Sequence, residues 1–338
     1  MNWRALTATL VTLAALGWSV SYATAQAPAP SSEAAKPEAA KTDAAKPEAA
    51  KPAAPKPVVQ KRFASAEEAV DALVAALRQH KTETVISILG GESRPLIVSG
   101  DAVADRRARE TFVKAYDEAH ALVTKDAGTT LTLGTDEWPF PIPLVKDGDR
   151  WRFDGKEGRE EILARRIGRN ELYTIQTCLA YVDAQREYYS EDRIGKGVLQ
   201  YAQKFVSAPG KRDGLYWVSK PGEPPSPLGE LVARARGEGY RRASSGPTPF
   251  HGYLFKILTS QGPGAPDGAY NYVVKGQMIA GFALVAYPAQ YGASGVMSFL
   301  VNHDGVVYEK DLGPTTAAVA TSLRSFDPSG WAKVDAQN

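Results

Sequence analysis

Apolar positions recur at three- and four-residue steps through Asn170–Asp192, where Leu172, Ile175, Leu179 and Val182 fall on one line and Tyr189 follows. This spacing predicts an amphipathic helix over 171–190, with the Asn170 side chain as cap for its first turn. A charged helix, REEILARRI, precedes it between Gly158 and Gly168, its acids ahead of its bases as the helix dipole favours. Upstream, Ser65-Ala-Glu-Glu68 reads as a capping box ahead of the apolar face Val70, Leu73, Val74 and Leu77. Thr82–Leu89 forms a short helix that Gly90-Gly91 stops, and Asp105–Leu122 a third, with Phe112 and Tyr116 on its apolar side.

Two stretches carry the period of a strand instead. Thr129–Gly134 is β-rich, and Trp138-Pro-Phe-Pro-Ile-Pro-Leu144 alternates bulky apolar residues with prolines. An extended chain would turn every bulky side chain of that segment to the core and align the missing N–H groups on one side, as a guarded edge strand. Lys146–Asp149 turns the chain into the strand Arg150–Asp154. From Phe250 the period of two returns in four strands, Phe250–Gln261, Ala280–Pro288, Val296–Asn302 and Val306–Leu312, with His303-Asp304-Gly305 as a hairpin turn. Phe282–Tyr287 is apolar on both faces, so that sheet needs two covers. The 171–190 helix is one, and the first half or the glycine-rich stretch Ser190–Ser245 is the other. Within that stretch only Leu228–Arg236 reads as helical.

The pattern is that of an α+β protein. N-terminal helices and a curved antiparallel sheet over 62–157 resemble the nuclear transport factor 2-like or cystatin-like cones. Over 158–338 a long helix packs on a four-stranded antiparallel sheet. A cone of this kind can hold a small ligand between helix and sheet; the expectation here is a packed interior, with Trp138–Leu144 filling it.

Met1–Ala25 reads as a secretory leader, with Arg4 ahead of the apolar run Ala5–Val20 and Ala23-Thr24-Ala25 as the cleavage pattern before Gln26. The run is shorter than the roughly 18–20 residues a span needs, so no membrane span remains after cleavage between Ala25 and Gln26. Residues 26–61 follow as a low-complexity Ala/Pro/Lys spacer, with Lys36, Lys41, Lys46 and Lys51 in register. It buries almost nothing and is expected to stay disordered and extended, as a tether or a solubilising tail. These features predict a periplasmic or secreted location.

Charge narrows the partners. A formal net charge of +2, with both signs mixed, leaves no basic face for nucleic acid. The single cysteine, Cys178, sits on the apolar stripe as a small buried hydrophobe and forms no internal disulfide. The histidines do not converge: His251 opens the first strand of the later sheet and His303 closes the third, at opposite ends, while His80 and His120 belong to the first half. Asp101, Asp136 and Asp154 lie beside turns, where carboxylates are usually solvated. No catalytic, cofactor-binding or metal-ligating residue is singled out, no cofactor is implied, and the only site residues named are Ala25 and Gln26.

Four blocks do carry a family likeness: GYLFKILTSQGPGAPDGAYNYVV, FALVAYPAQYGASGVMSFLVNHDGVVYEKDLG, WPFPIPLVKDGDRWRFD and RRIGRNELYTIQTCLAYVDAQREYY. Together they resemble an uncharacterised bacterial exported family, domain of unknown function 2950, from Phe63 to Leu312. The likeness implies export and assigns no activity. The later half is also similar to the globular part of type IV pilin-like proteins, but without a prepilin cleavage motif it implies a fold and not a filament. The functional expectation is an exported soluble envelope protein acting as a non-enzymatic binding or interaction module, with an envelope protein or the cell wall as partner. The alternatives are a small-molecule isomerase or hydrolase with a pocket in the first half, and a peptidoglycan-associated module.

Overall fold

The computed structural model describes residues 58–125, 128–241 and 246–335. The leader, its Ala25–Gln26 cleavage point and the spacer up to Pro57 lie outside the described residues.

The first half begins with α1 (Ala66–Arg78), held at its start by the box the sequence predicts. Ser65 Oγ accepts from Glu68 N at 3.1 Å, and Glu68 Oε2 accepts from Ala64 N at 2.7 Å, so two orphan donors are satisfied. α2 (Thr82–Leu89) has the predicted bounds, and α3 (Arg94–Ile97) is a single turn. α4 runs Ala102–Glu118, earlier than expected at both ends. Asp101 caps it, and Leu122 belongs to a strand, β1 (His120–Lys125), which pairs residue by residue with β2 (Gly128–Leu133). β3 (Trp138–Pro139) and β4 (Leu144–Asp147) both lie along β2, and β5 (Arg150–Phe153) closes the sheet through the Asp147↔Arg150 hairpin.

The proline segment is an edge only in its first part: β3 pairs with β2 alone, whereas from Leu144 the strand lies between β2 and β5. Between Thr132↔Pro139 and Thr129↔Leu144, three steps of β2 face five of the proline strand, a two-residue bulge. Prolines at 139, 141 and 143 cannot donate to a ladder, so the strand breaks there into two short pieces. Phe140, Ile142 and Leu144 turn to the core, whereas Trp138 stays 42% exposed.

α5 (Arg159–Tyr189) is one helix of 31 residues, not two. Nothing crowds the position a Gly168 Cβ would take. A glycine in mid-helix costs only about 1 kcal/mol, and contacts on either side of it hold the axis straight through. Arg166 donates to the carbonyls of Pro95 and Leu96 at 2.9 and 2.5 Å, and Asn170 Nδ2 to that of Ser294 at 2.9 Å. Asn170 is thus a buried clamp, and the cap is Gly158, whose φ of 68° and contact with Pro141 leave no space for a side chain. The buried face overlaps the predicted stripe at Cys178 and Val182 but is rotated from it: Leu172 is 54% exposed, while Thr174, Tyr181, Gln185 and Tyr188 are buried.

The reason is what α5 packs against. Gln185 accepts from Ala202 N and donates to Ala202 O, both at 2.8 Å, and Tyr188 Oη donates to Arg212 O at 2.6 Å. These side chains fasten the 190–241 stretch, which contains α6 (Gly229–Gly237), onto the helix. That stretch is loop packed on a scaffold.

The later sheet is an antiparallel meander of five strands where four were expected: β6 (Tyr253–Leu258), β11 (Ala283–Pro288), β12 (Met297–Asn302), β13 (Val307–Asp311) and β14 (Ala332–Lys333). The insertion after β6 carries two small hairpins, β7 (Ser260–Gln261) with β8 (Tyr270–Asn271), and β9 (Val273–Val274) with β10 (Gln277–Met278). Every residue of β11 is buried, so both faces are covered. α5 lies on one; the other is taken by α7 (Thr316–Ser322), which neither the first half nor the glycine-rich stretch supplies. Lys256 on β6 fixes it, donating to Thr321 O and Leu323 O at 2.6 Å, carbonyls that the end of a helix leaves without partners.

The described residues form one compact unit with two hydrophobic clusters, one under α1, α2 and the first sheet, the other between α5, the later sheet and Phe326. Among the described residues no helix is long and apolar enough to cross a membrane.

Candidate functional site

A buried polar group sits where the two halves meet, and it is built on Asp101. This carboxylate is 1% exposed. Its Oδ1 accepts from Val103 N and Ala104 N at 3.1 and 3.0 Å, as the cap of α4. Its Oδ2 accepts from Tyr240 Oη and from Gly252 N, both at 2.9 Å. One side chain thus ties the first half to the end of the 190–241 stretch and to the start of β6. Gly252 allows this approach: it has φ of 78°, and a Cβ there would meet Asn170 Nδ2 at 2.6 Å. With four donors on it, Asp101 is a structural knot and not the solvated carboxylate that its place beside a turn suggests.

His251 stands next to the knot, itself at φ of 47°. Its ring stacks on Tyr173 with centroids 4.5 Å apart, and Nε2 lies 3.2 Å from Glu238 Oε2. Glu238 also pairs with Arg107 of α4 at 2.9 Å. Burial pulls the His251 pKa below its ordinary value; Glu238 and Asp101 oppose that shift, while Arg107 and Arg169 add to it.

These groups rim a cleft of about 680 Å³ between α4, the first sheet and α5. Leu77, Leu133, Phe140, Ile142 and Phe112 give it an apolar floor. The expected packed interior holds for Phe140, Ile142 and Leu144, which are buried in the first-half core, and the cleft opens beside them between α4 and α5, where Trp138 lines it with part of its ring in solvent. Two features keep it open. α4 presents Ala104, Ala108, Thr111 and Ala115 to the cleft, and no residue of that helix is fully buried. The proline bulge denies the opposing wall a regular ladder.

The rim is strongly basic, with Arg107, Arg109, Arg165, Arg166 and Arg169 lining the cleft against one carboxylate, Asp105. Asp105 accepts from Ser99 N at 3.0 Å and Ser99 Oγ at 2.7 Å. Burial nevertheless raises its pKa, against the pull of those bonds and of Arg166 and Arg109. Burial likewise lowers the Arg166 guanidinium from its ordinary value, with Asp105 opposing.

A family model described as protein of unknown function (DUF2950) matches residues 60–334. The chain belongs to this family. No curated protein and no solved structure matches it. The DUF2950 match spans both halves, so the cleft and the Asp101 knot between them lie wholly within the family's extent.

None of these rim residues was singled out by pattern. Asp101 had a usable signal, since an Asp directly before a helical run is a strong cap. The arginines had one too: Arg165, Arg166 and Arg169 share a side of α5. His251 and Tyr240 had none, because only the fold brings them to Asp101. As predicted, His251 and His303 lie at opposite ends of the later sheet, since β6 and β12 both pair antiparallel with β11. Cys178 is fully buried, and burial pushes its thiol up to about 12, as befits an inert core residue. Among the described residues no three His, Cys, Asp or Glu side chains gather as a metal site would require.

Proposed function

We propose that this chain is an exported binding protein that takes a small, largely apolar molecule into the cleft between α4, the first sheet and α5. The observation that carries the reading is the cleft itself, about 680 Å³ with an apolar floor and a polar rim. That volume falls in the range of small-molecule sites, about 300–1,000 Å³, and the division into floor and rim is theirs as well. Export rests on the leader Met1–Ala25, with the mature chain starting at Gln26 and the Ala/Pro/Lys spacer carrying the folded part away from its point of release.

The test is uptake of a neutral fluorescent probe, N-phenylnaphthylamine, by the mature chain purified from the periplasm or medium. Saturable enhancement that Ala108→Phe abolishes is expected, because Ala108 lines the cleft on α4. An unchanged probe signal with the wild-type chain would sink the reading. Intact mass of the exported protein checks the Ala25–Gln26 cut.

A second reading, a small-molecule isomerase or hydrolase, draws on the His251–Glu238 pair at the same rim. A histidine kept neutral by burial and oriented by a carboxylate is the form of a general base. Turnover lost in His251→Gln with probe binding intact would favour it over simple binding.

A further inference from the structure

We infer that the occupant of the cleft is an acid: an anionic amphiphile whose head group lies between Arg109 and Arg169 and whose apolar body lies along Leu77, Phe112 and Phe140. The inference rests on the binding reading above and names its ligand class.

Charge at the rim is only partly balanced. Arg107 is answered by Glu238 at 2.9 Å, and Arg165 by Glu161 at 2.5 Å. Arg166 is spent on the carbonyls of Pro95 and Leu96, with Asp105 as its nearest opposing charge. Arg109 and Arg169 make no hydrogen bond or ion pair with any described residue, although both line the cleft. Arg109 Nε is moreover shielded from solvent with no partner. A shielded, unsatisfied guanidinium N–H is costly, and nothing on the protein relieves it. Asp105 attracts Arg109 through space but makes no hydrogen bond to it, its donors being those of Ser99.

One guanidinium thus comes from α4 and one from α5, on the two walls of the cleft. An anion placed between them would satisfy both and draw α4 toward α5. Guanidinium forks suit a planar carboxylate or a phosphate monoester, which accept two parallel N–H bonds. The floor sets the rest of the molecule, since Leu77, Phe112 and Phe140 offer no polar side-chain atom to a ligand. A neutral head group would leave both arginines as they are, and a cationic one would be repelled.

The experiment is a head-group series at constant tail, by calorimetric titration or displacement of the neutral probe from the mature chain below micelle formation. Decanoate and decyl phosphate are expected to bind at least about tenfold tighter than decanol, with decyltrimethylammonium weakest; about tenfold corresponds to 1.4 kcal/mol. Whichever acid binds tighter assigns the source of the anion, a fatty carboxylate or a phosphate ester. The advantage of the acid should shrink as salt rises. Arg109→Gln with Arg169→Gln should erase it while leaving decanol affinity within about twofold. Decanol binding as tightly as either acid would overturn the inference and leave the cleft reading standing. If none of the four molecules binds and the neutral probe is also ignored, both fail together. The series with the wild-type chain needs no variant to fold.

Discussion

The two sheets of this molecule are built to different standards of closure. The later one is covered on both faces, by α5 and α7, and its central strand β11 has no exposed residue. The first buries one face only: β2 alternates half-buried and buried positions, and the helix laid across it, α4, has no fully buried residue. Both have apolar residues enough for a core. The difference lies in the covering helices, since α5 buries Tyr181, Val182 and Tyr188 against its sheet and the packed loop, whereas α4 turns Phe112 among small and charged side chains to the cleft and buries none of them fully. Complete packing leaves no space among the described residues of the later half, and incomplete packing beside it leaves the cleft.

The sharpest way to break this contrast is a charge in the closed region. Cys178→Asp places a carboxylate at a fully buried point of α5, with no cation among the buried residues around it. It should cost on the order of 3–5 kcal/mol and abolish the cooperative unfolding of the later half, read by urea denaturation. Leu179, the centre of the predicted stripe, is only half-buried and should tolerate a charge better. Equal tolerance at 178 and 179 would mean that the packing of α5 is misassigned.

Next in size is the seam. Asp101→Ala removes the α4 cap and strands Tyr240 Oη and Gly252 N, both of which donate to it. A lost cap costs about 1 kcal/mol and each of the two unsatisfied buried donors at least about 1, so a loss of about 3 kcal/mol is expected from the low end of these terms. Hydrogen exchange should locate the loosening in α4 and in the start of β6. Loss confined to one side would show that the knot does not join the halves.

A matched pair then compares the two helices directly. Ala184→Phe on α5 overpacks a residue that is 2% exposed and should cost about 1–3 kcal/mol. Ala108→Phe on α4 points into open cleft and should change stability by less than about 0.5 kcal/mol, while abolishing probe uptake. A large cost at 108 would mean that the cleft is already closed in solution.

How far the sequence discloses this contrast depends on the range of the interactions. Caps and hairpins are local, so Ser65–Glu68, Thr82–Leu89 and the Asp147–Arg150 turn are read directly from neighbouring residues. The meander is legible because period-two runs separated by short turns leave little choice of pairing. The buried face of α5 is not, because Gln185 and Thr174 are polar, and only their partners on Ala202 and within the helix make burial affordable. Nor is the proline strand: alternation gave its inward residues correctly for Phe140, Ile142 and Leu144, but its position in the sheet depends on a bulge that pairing alone creates. The site is the least legible part. Its residues come from positions 101, 109, 166, 240 and 251, and no local pattern links them.

The smallest effect, and the one that best separates the seam from the scaffold, is acid sensitivity. His251 faces Glu238 and Asp101, which favour its cation, and Arg107 and Arg169, which disfavour it, amid the rings of Tyr173, Tyr240 and Phe250. Burial prevails, so its pKa is lower folded than unfolded. The unfolded chain then binds the proton first, and the stabilisation, present above the unfolded value, is lost as pH falls through the folded one. Between neutral pH and about pH 5.5 the seam should therefore weaken, and His251→Gln should flatten that slope. Asp105 has the opposite sign: burial raises it, so its contribution is present in acid and is lost as pH rises. Asp105→Asn consequently separates the two, since it removes the opposing drift in the carboxylate range and leaves the histidine slope intact. In the closed region burial pushes Cys178 up to about 12, and the group that burial and Glu171 shift upward, Glu309, lies on β13 away from β11. Hydrogen exchange across that window should therefore change around α4, Tyr240 and Gly252 and stay level in β11 and β12. Uniform acid weakening of both sheets would remove the distinction between scaffold and site on which the binding reading depends.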